Sequence, residues 1–257
     1  MMVEFSSGPL RLRGLLWKPA GRGPFPAVLF NHGSGGETAD ETARMPIQEA
    51  AAQLAPLFVR RGYVFFYPFR RGQGPSAGAA PFMQDRLAAA ERAHGRAARQ
   101  QLQDTLMETE QLEDVLAALG FLRAVPDVDP SRLAVMGHSF GGQLTLLASA
   151  RDGTVRAAVT FAAAAGSWSR SERVRRDLRE SVQRARCPIM LVQWANDFST
   201  EASTALGSVR ERAGPPPVVV LYPAVGSTPE DGHSGLYLAI AQWEPDVFRF
   251  LEQALLH

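Results

Sequence analysis

Short runs of consecutive apolar residues recur along the chain, and between most of them apolar positions return every three or four residues. The runs Leu10–Trp17, Ala27–Asn31, Tyr63–Tyr67, Leu133–Met136, Ala157–Phe161, Ile189–Gln193 and Val218–Tyr222 have the length and composition of strands buried on both faces. Ile47–Arg61 reads as a helix that closes at Gly62, a residue suited to the left-handed position beyond a helix end. Leu112, Val115, Leu116, Leu119 and Leu122 share one face of another helix, which stops before Pro126. Asp127-Val128-Asp129-Pro130 then reads as a turn into the next strand, and Trp243–Leu256 as a terminal helix. Strands alternating with helices predict an α/β chain, with a mostly parallel central sheet and helices on both faces. No internal repeat is visible.

One stretch breaks the alternation. Gly72–Gly78 is rich in glycine and proline, and Pro81–Asp104 is rich in alanine, arginine and glutamine with few large apolar residues. It is longer than the usual connection between elements. The expectation is one domain over 1–257 carrying a small helical flap at 75–110; an exposed extension of the following helix is the other reading.

Composition narrows the field. The chain has 257 residues, 46% of them hydrophobic, and a formal net charge of +1 from 27 basic and 26 acidic residues. That balance points to neither a nucleic-acid nor a membrane partner. Lys18 is the only lysine, which reads as a bias of the genome. Met1–Gly8 has no basic start followed by an apolar stretch, and no run approaches the roughly 18 apolar residues of a membrane span. With Cys187 as the only cysteine, neither an internal disulfide nor a cysteine metal cluster is expected. A soluble, cytoplasmic protein without metal or organic cofactor is the expectation.

The chemistry is concentrated at Gly137-His138-Ser139-Phe140-Gly141-Gly142, directly behind the run Leu133–Met136. A serine boxed by glycines between a strand and a helix is the G-x-S-x-G arrangement in which the hydroxyl projects from a sharp turn. Glycines at 137 and 141 leave space that a Cβ would obstruct, and the Phe140 N–H can face a developing oxyanion. A hydroxyl needs a base, and the base needs an orienting acid. Asp197, in the loop after Ile189–Gln193, supplies the acid; a helix cap is its competing role, and Asp231 is the weaker alternative acid. His233, in Gly232-His233-Ser234-Gly235, supplies the base. The order Ser139, Asp197, His233 is that of hydrolases with this elbow. Asn31-His32-Gly33-Ser34-Gly35-Gly36 follows a strand end and offers the second oxyanion donor, the Ser34 N–H first and Gly33 in its place. His32 is read as structural. No phosphate-binding string of the G-x-x-x-x-G-K-[ST] or G-x-G-x-x-G kind is present. Trp168, Arg70 and Met83 are candidate pocket residues. Arg70 or Arg71 suits a substrate carboxylate through its forked guanidinium, against the alternative that they pair with carboxylates of the protein.

These residues resemble the α/β-hydrolase superfamily, and within it the dienelactone hydrolase family and the related catalytic domains of prolyl oligopeptidases. The resemblance runs from about Leu10 to Leu251. Its segments are Phe30-Asn31-His32-Gly33, Arg60-Arg61-Gly62-Tyr63, Phe69-Arg70-Arg71-Gly72, Val128-Asp129-Pro130, Gly137–Gly142, Asn196-Asp197 and Gly232-His233. It implies the α/β-hydrolase fold, a mostly parallel central sheet of about eight strands flanked by helices on both faces, with nucleophile, acid and base at Ser139, Asp197 and His233. Dienelactone hydrolases proper carry a cysteine nucleophile; Ser139 here favours an ordinary ester. The expectation is therefore a carboxylesterase acting on small to medium acyl esters. A peptidase or amidase is the second reading, and a catalytically silent binding protein on the same fold is the third.

Overall fold

Neighbouring residues of a strand point to opposite faces, and the buried strands here supply two cores at once. The computed structural model of the chain describes residues 1–34 and 47–256. Its strands are β1 (Met2–Ser7), β2 (Leu10–Trp17), β3 (Phe25–Asn31), β4 (Val64–Pro68), β5 (Val128–His138), β6 (Val155–Phe161), β7 (Ile189–Trp194) and β8 (Val218–Tyr222). They form one sheet in the order β1-β2-β4-β3-β5-β6-β7-β8. The β1/β2 and β2/β4 pairs are antiparallel, and the remaining neighbours run parallel. The helices among the described residues are α1 (Ile47–Val59), α2 (Met83–Leu106), α3 (Leu112–Arg123), α4 (Phe140–Arg151), α5 (Glu172–Arg184), α6 (Glu201–Gly207), α7 (Pro229–His233), α8 (Gly235–Leu238) and α9 (Ile240–Leu255). Leu29, Leu133, Val135 and Leu191 point into a core closed by α3, α4 and α5. Val28, Phe30, Met136 and Val192 point the other way, into a core closed by α1 and α9. This is the α/β-hydrolase architecture. α4 is buried on every side from Phe140 to Ser149, as befits a helix wedged between the sheet and two other helices.

Two elements differ from expectation. β1 was not among the apolar runs, because only Phe5 and Ser7 face inward while Met2, Glu4 and Ser6 are exposed. It is held as the outer arm of a hairpin with β2 through the tight turn at Gly8, φ 54°. β5 begins earlier than the run Leu133–Met136, yet its pairing with β3 skips from Val128 to Leu133. Within the skip, the Asp129 carboxylate accepts the Ser131 N–H at 2.9 Å, so a turn stands at Asp129–Ser131 inside the strand's nominal span.

The stretch that broke the alternation is a short 3-10 turn (Gly74–Ala79), α2, and a π turn over Met107–Gln111 that runs into α3. Gly95, at φ 82° and ψ 178°, divides α2 into two arms. Arg99 donates to the Gln84 side chain at 3.4 Å. Fifteen residues of straight helix span about 22 Å, so this contact requires the arms to fold back on one another. Side chains of the π turn tie the hairpin to the body. Glu110 accepts both guanidinium arms of Arg86, and Glu108 takes Arg173 of α5 at 2.6 Å.

One buried carboxylate fastens the sheet edge to this region. Asp114 of α3, its side chain 1% exposed, accepts the Arg71 guanidinium at 2.6 Å, the Arg71 N–H at 2.8 Å and the Ser7 hydroxyl at 2.6 Å. Arg71 thus pairs with a carboxylate of the protein, not of a substrate. Removing Asp114 takes the closest partner from a mostly buried cation and leaves it only the longer contacts to Glu110 at 3.7 Å and Glu113 at 3.5 Å. Asp114→Ala is expected to cost about 3–5 kcal/mol of stability, read from urea unfolding; a loss below about 1 kcal/mol contradicts this account of the edge.

Candidate active site

Ser139 stands between β5 and α4 at φ 55° and ψ −119°, a conformation that costs a non-glycine residue energy and persists only where surroundings enforce it. The surroundings are identifiable. The Ser139 N–H donates to the Phe161 carbonyl at 2.8 Å, and the Ser139 carbonyl accepts the Gly142 and Gln143 N–H groups at 2.9 and 3.2 Å. A Cβ at 137 would collide with the Gly141 carbonyl, and one at 141 with the carbonyls of Asn31 and His32. The flanking glycines therefore let the elbow press directly onto the end of β3.

His233 and Asp197 meet Ser139 in a line. His233 Nε2 lies 2.9 Å from Ser139 Oγ, and His233 Nδ1 lies 2.9 Å from Asp197 Oδ1. Asp197 follows β7, and its side chain is fully buried. Its Oδ1 also accepts the Phe198 N–H at 2.7 Å, and its Oδ2 accepts Gln193 Nε2 at 2.8 Å. Both oxygens are occupied, which leaves the carboxylate one orientation. Asp197 does not cap α6. Asp231 instead completes a capping box with Thr228 at the start of α7, accepting the Ser227 and Thr228 N–H groups at 2.8 and 3.0 Å, well engaged away from the ring. His233 ends the one-turn helix α7, where a loop was expected. The glycines around it are packing requirements. A Cβ at 232 would come within 2.5 Å of the Asn196–Asp197 backbone, and one at 235 would enter the Trp194 ring.

The loop after β3 reaches the same point. A Cβ on Gly33 would stand 3.7 Å from the Ser139 Cβ, and Ser34, Phe140, Ser139 and His233 line one cavity of about 700 Å³. The Phe140 N–H opens α4, and such first-turn donors have no acceptor in their own helix. Gly35 and Gly36, which complete the glycine loop, lie outside the described residues. Much of the remaining cavity wall is built by the α2 hairpin, through Gln84, Arg99, Gln100 and Gln103, and by Ser167 and Arg170 after β6. None of these was legible as a site residue. Ser167 Oγ is buried and takes no hydrogen bond.

The three expected pocket residues are placed elsewhere. Trp168 is 1% exposed in the core beneath the wall, with the Arg179 guanidinium 5.3 Å from its ring. Met83 is likewise a core residue at the start of α2. Arg70 is 1% exposed and turned inward. It donates to the His32 carbonyl at 2.9 Å, the Gly33 carbonyl at 2.7 Å and Gln111 Oε1 at 3.0 Å, so it is no clamp for a substrate carboxylate. His32 is fully buried against Arg70 and keeps its structural role, its pKa held well below the ordinary histidine value by burial first and by the Arg70 charge second.

A sheet of this order with a strained serine elbow, a histidine and a buried carboxylate in line at its edge has the architecture of α/β-hydrolases. The chain matches the dienelactone hydrolase family over residues 12–229, and it belongs to that family. It is 27% identical over 158 residues to the quorum-quenching protein AidA of Acinetobacter baumannii (strain MDR-ZJ06), a match covering 62% of this chain and 42% of that protein. Among solved structures, Est1E of Butyrivibrio proteoclasticus with bound ferulic acid superimposes with a TM-score of 0.67 at 16% identity, covering 99% of this chain and 100% of that one. Acylaminoacyl peptidase of Pyrococcus horikoshii gives a TM-score of 0.65 at 18% identity, covering 99% of this chain and 41% of that one. The chain thus spans less than half the length of AidA and of the peptidase. Among the described residues no helix is long and apolar enough to cross a membrane, and no cluster of three metal-ligating side chains occurs.

His138 stands beside the elbow, at the end of β5. It is 9% exposed, and its Nε2 lies 2.8 Å from the His233 carbonyl, which ties the backbone of the histidine loop to β5. Burial, then the nearby His233 ring, pushes its pKa down to about 3. The unfolded chain takes up that proton near pH 6.5, so the stabilising contribution is complete above roughly pH 6.5 and is lost as pH falls towards 3. Between pH 6.5 and 5 the wild type should lose about 2 kcal/mol more unfolding free energy than His138→Gln. Equal pH slopes in urea titrations of the two proteins would refute this.

Proposed function

We propose that the protein is a serine hydrolase of carboxylic esters that works through an acyl-enzyme on Ser139. The reading is carried by the hydrogen-bonded line from Ser139 Oγ through His233 to Asp197, 2.9 Å at each step. Ser139 Oγ attacks the ester carbonyl carbon as His233 Nε2 takes its proton. The negative charge moves to the carbonyl oxygen, which the N–H groups of Phe140 and Ser34 receive. The C–O bond to the alcohol breaks, and His233 returns the proton to the departing oxygen. Water, deprotonated by the same nitrogen, then releases the acid and restores Ser139. Asp197 holds the imidazole with Nδ1 protonated and stabilises its cation. No step calls on a metal or organic cofactor.

The cavity lining points to a compact, polar acyl group. Its lining includes the apolar Phe140, Ala164, Ala165 and Phe198, but most of it is glutamine, serine and arginine. Among the described residues, Arg96, Arg99 and Arg170 line it with Glu91 as the one carboxylate, and Glu91 lies 3.5 Å from Arg99 and 3.7 Å from Arg96. An added methylene contributes ~0.8 kcal/mol only where it leaves water for an apolar surface, and this wall offers little.

The first test is removal of the hydroxyl. Ser139→Ala should fold normally and lower kcat on any hydrolysed ester by about 10⁴–10⁶, and Asp197→Asn by about 10⁴. Retention of a tenth of the activity in Ser139→Ala would place the nucleophile elsewhere. The second test is an acyl series from acetate to palmitate, with a hemisuccinate ester and a matched peptide amide alongside. kcat/KM should peak at short to medium chains and exceed that of the amide. The hemisuccinate should gain about fivefold over the neutral butyrate, the effect of roughly 1 kcal/mol from a partly exposed charge pair. A maximum at palmitate, or faster amide cleavage, would overturn the substrate assignment and favour the peptidase reading.

A further inference from the structure

We propose that Arg70 is a positioning residue for the oxyanion site, gripping the Gly33 carbonyl so that the next N–H, that of Ser34, is turned towards the oxygen that develops charge at Ser139. The proposal rests on the hydrolase reading above. Its starting point is a direction. In a trans peptide the carbonyl and the following N–H point opposite ways, and among the described residues only Gly23-Pro24 is cis. Arg70 Nη2 draws the Gly33 oxygen inward at 2.7 Å, and Nη1 holds the preceding His32 oxygen at 2.9 Å. The Ser34 N–H therefore faces the other side, where Gly33 borders Ser139 and Ser34 lines the cavity. Glycine at 33 has little conformational preference of its own, so the direction of this peptide depends on what grips it.

The grip is itself anchored. Gln111, 1% exposed at the end of the π turn, accepts Arg70 Nε at 3.0 Å, and an extra residue in a helical turn is the kind of irregularity that re-aims a side chain. Arg70 also lies near the elbow, its guanidinium carbon 5.5 Å from the Phe140 ring centroid. Among the described residues it has no ion-pair partner, because Asp114 is taken by Arg71. Burial draws its pKa down only to about 10, so the group is a cation at neutral pH. A fixed positive charge behind the Gly33–Ser34 peptide in a buried site stabilises an oxyanion more than a neutral ester. Lysine is a poor substitute, since one ammonium cannot span two carbonyls with a planar fork.

The test uses the full chain and the best ester substrate of the wild type, with kcat and KM for Arg70→Met, Arg70→Lys and Gln111→Leu. Each is checked by circular dichroism at assay temperature. A trifluoromethyl ketone, whose adduct on Ser139 carries the oxyanion, serves as transition-state probe. Arg70→Met should lower kcat by about 10²–10³, the range for loss of one oxyanion donor, with KM changed less than threefold and ketone affinity falling in step with kcat/KM. Arg70→Lys should fall between Met and wild type. If Arg70→Met does not fold, Gln111→Leu decides: a lower kcat at constant KM supports the proposal, and an unchanged kcat overturns it. A folded Arg70→Met with kcat within threefold of wild type, or a defect confined to KM, also overturns it. A wild type that hydrolyses no ester, with Ser139→Ala no different, would instead defeat the hydrolase reading beneath it.

Discussion

The contact on which the rest of the site depends is the one between the start of α4 and the end of β3, where the backbone at Gly141 lies against the carbonyls of Asn31 and His32. No other residue type leaves room for that approach. A buried polar clip holds it, with Asn31 Nδ2 donating to Thr145 Oγ1 at 3.0 Å and Thr145 Oγ1 donating to the Gly141 carbonyl at 2.9 Å. With the helix start pinned there, the chain leaving β5 has to turn within one residue, and that residue is Ser139 at positive φ. The strain, of order 1–3 kcal/mol, is offset by the packing of α4. The same closeness brings the loop of Gly33 and Ser34 beside the elbow, so Ser139, Phe140 and Ser34 line one cavity.

Parallel pairing explains how distant parts of the chain converge. Asn31 pairs with Gly137, His138 with Phe161, and Phe161 with Val192. The carboxyl ends of β3, β5, β6 and β7 therefore finish along one edge of the sheet, where ligands of open α/β sheets characteristically bind. The acid is delivered directly by the turn after β7. The histidine needs more support, because α7 is a single turn that could not hold itself. Its place is set by Gly232 on the Asp197 loop, Gly235 on Trp194, and the bond from His138 to its own carbonyl.

Much of this was legible in the residues, and the exceptions have physical causes. Interior strands buried on both faces announce themselves as apolar runs, whereas β1 buries only Phe5 and Ser7 and leaves too weak a pattern. Ser139 and His233 stood out because close backbone contacts demand the glycines around them. Trp168, Met83 and Arg70 were placed in the pocket because they neighbour strand ends or the flap, but proximity in sequence does not say which way a side chain turns. For Arg70 the deciding partners, His32, Gly33 and Gln111, are separated from it by about forty residues on either side. The α2 hairpin was hidden for a related reason. Gly95 sits in a stretch of good helix formers, and nothing local distinguishes a tolerated helical glycine from one at φ 82°.

The central claim is that Ser139 carries a hydroxyl made nucleophilic by the His233–Asp197 pair. Its most direct test needs no knowledge of the natural substrate. The intact protein is treated with a fluorophosphonate, the adduct is counted by whole-protein mass spectrometry, and its position is mapped by peptide sequencing. The account predicts one phosphonyl group per chain, on Ser139, forming at least a hundredfold more slowly in His233→Ala, about the smallest loss a positioned general base is worth. An adduct on another residue, no adduct under conditions that label other serine hydrolases, or equal labelling without His233 would contradict it.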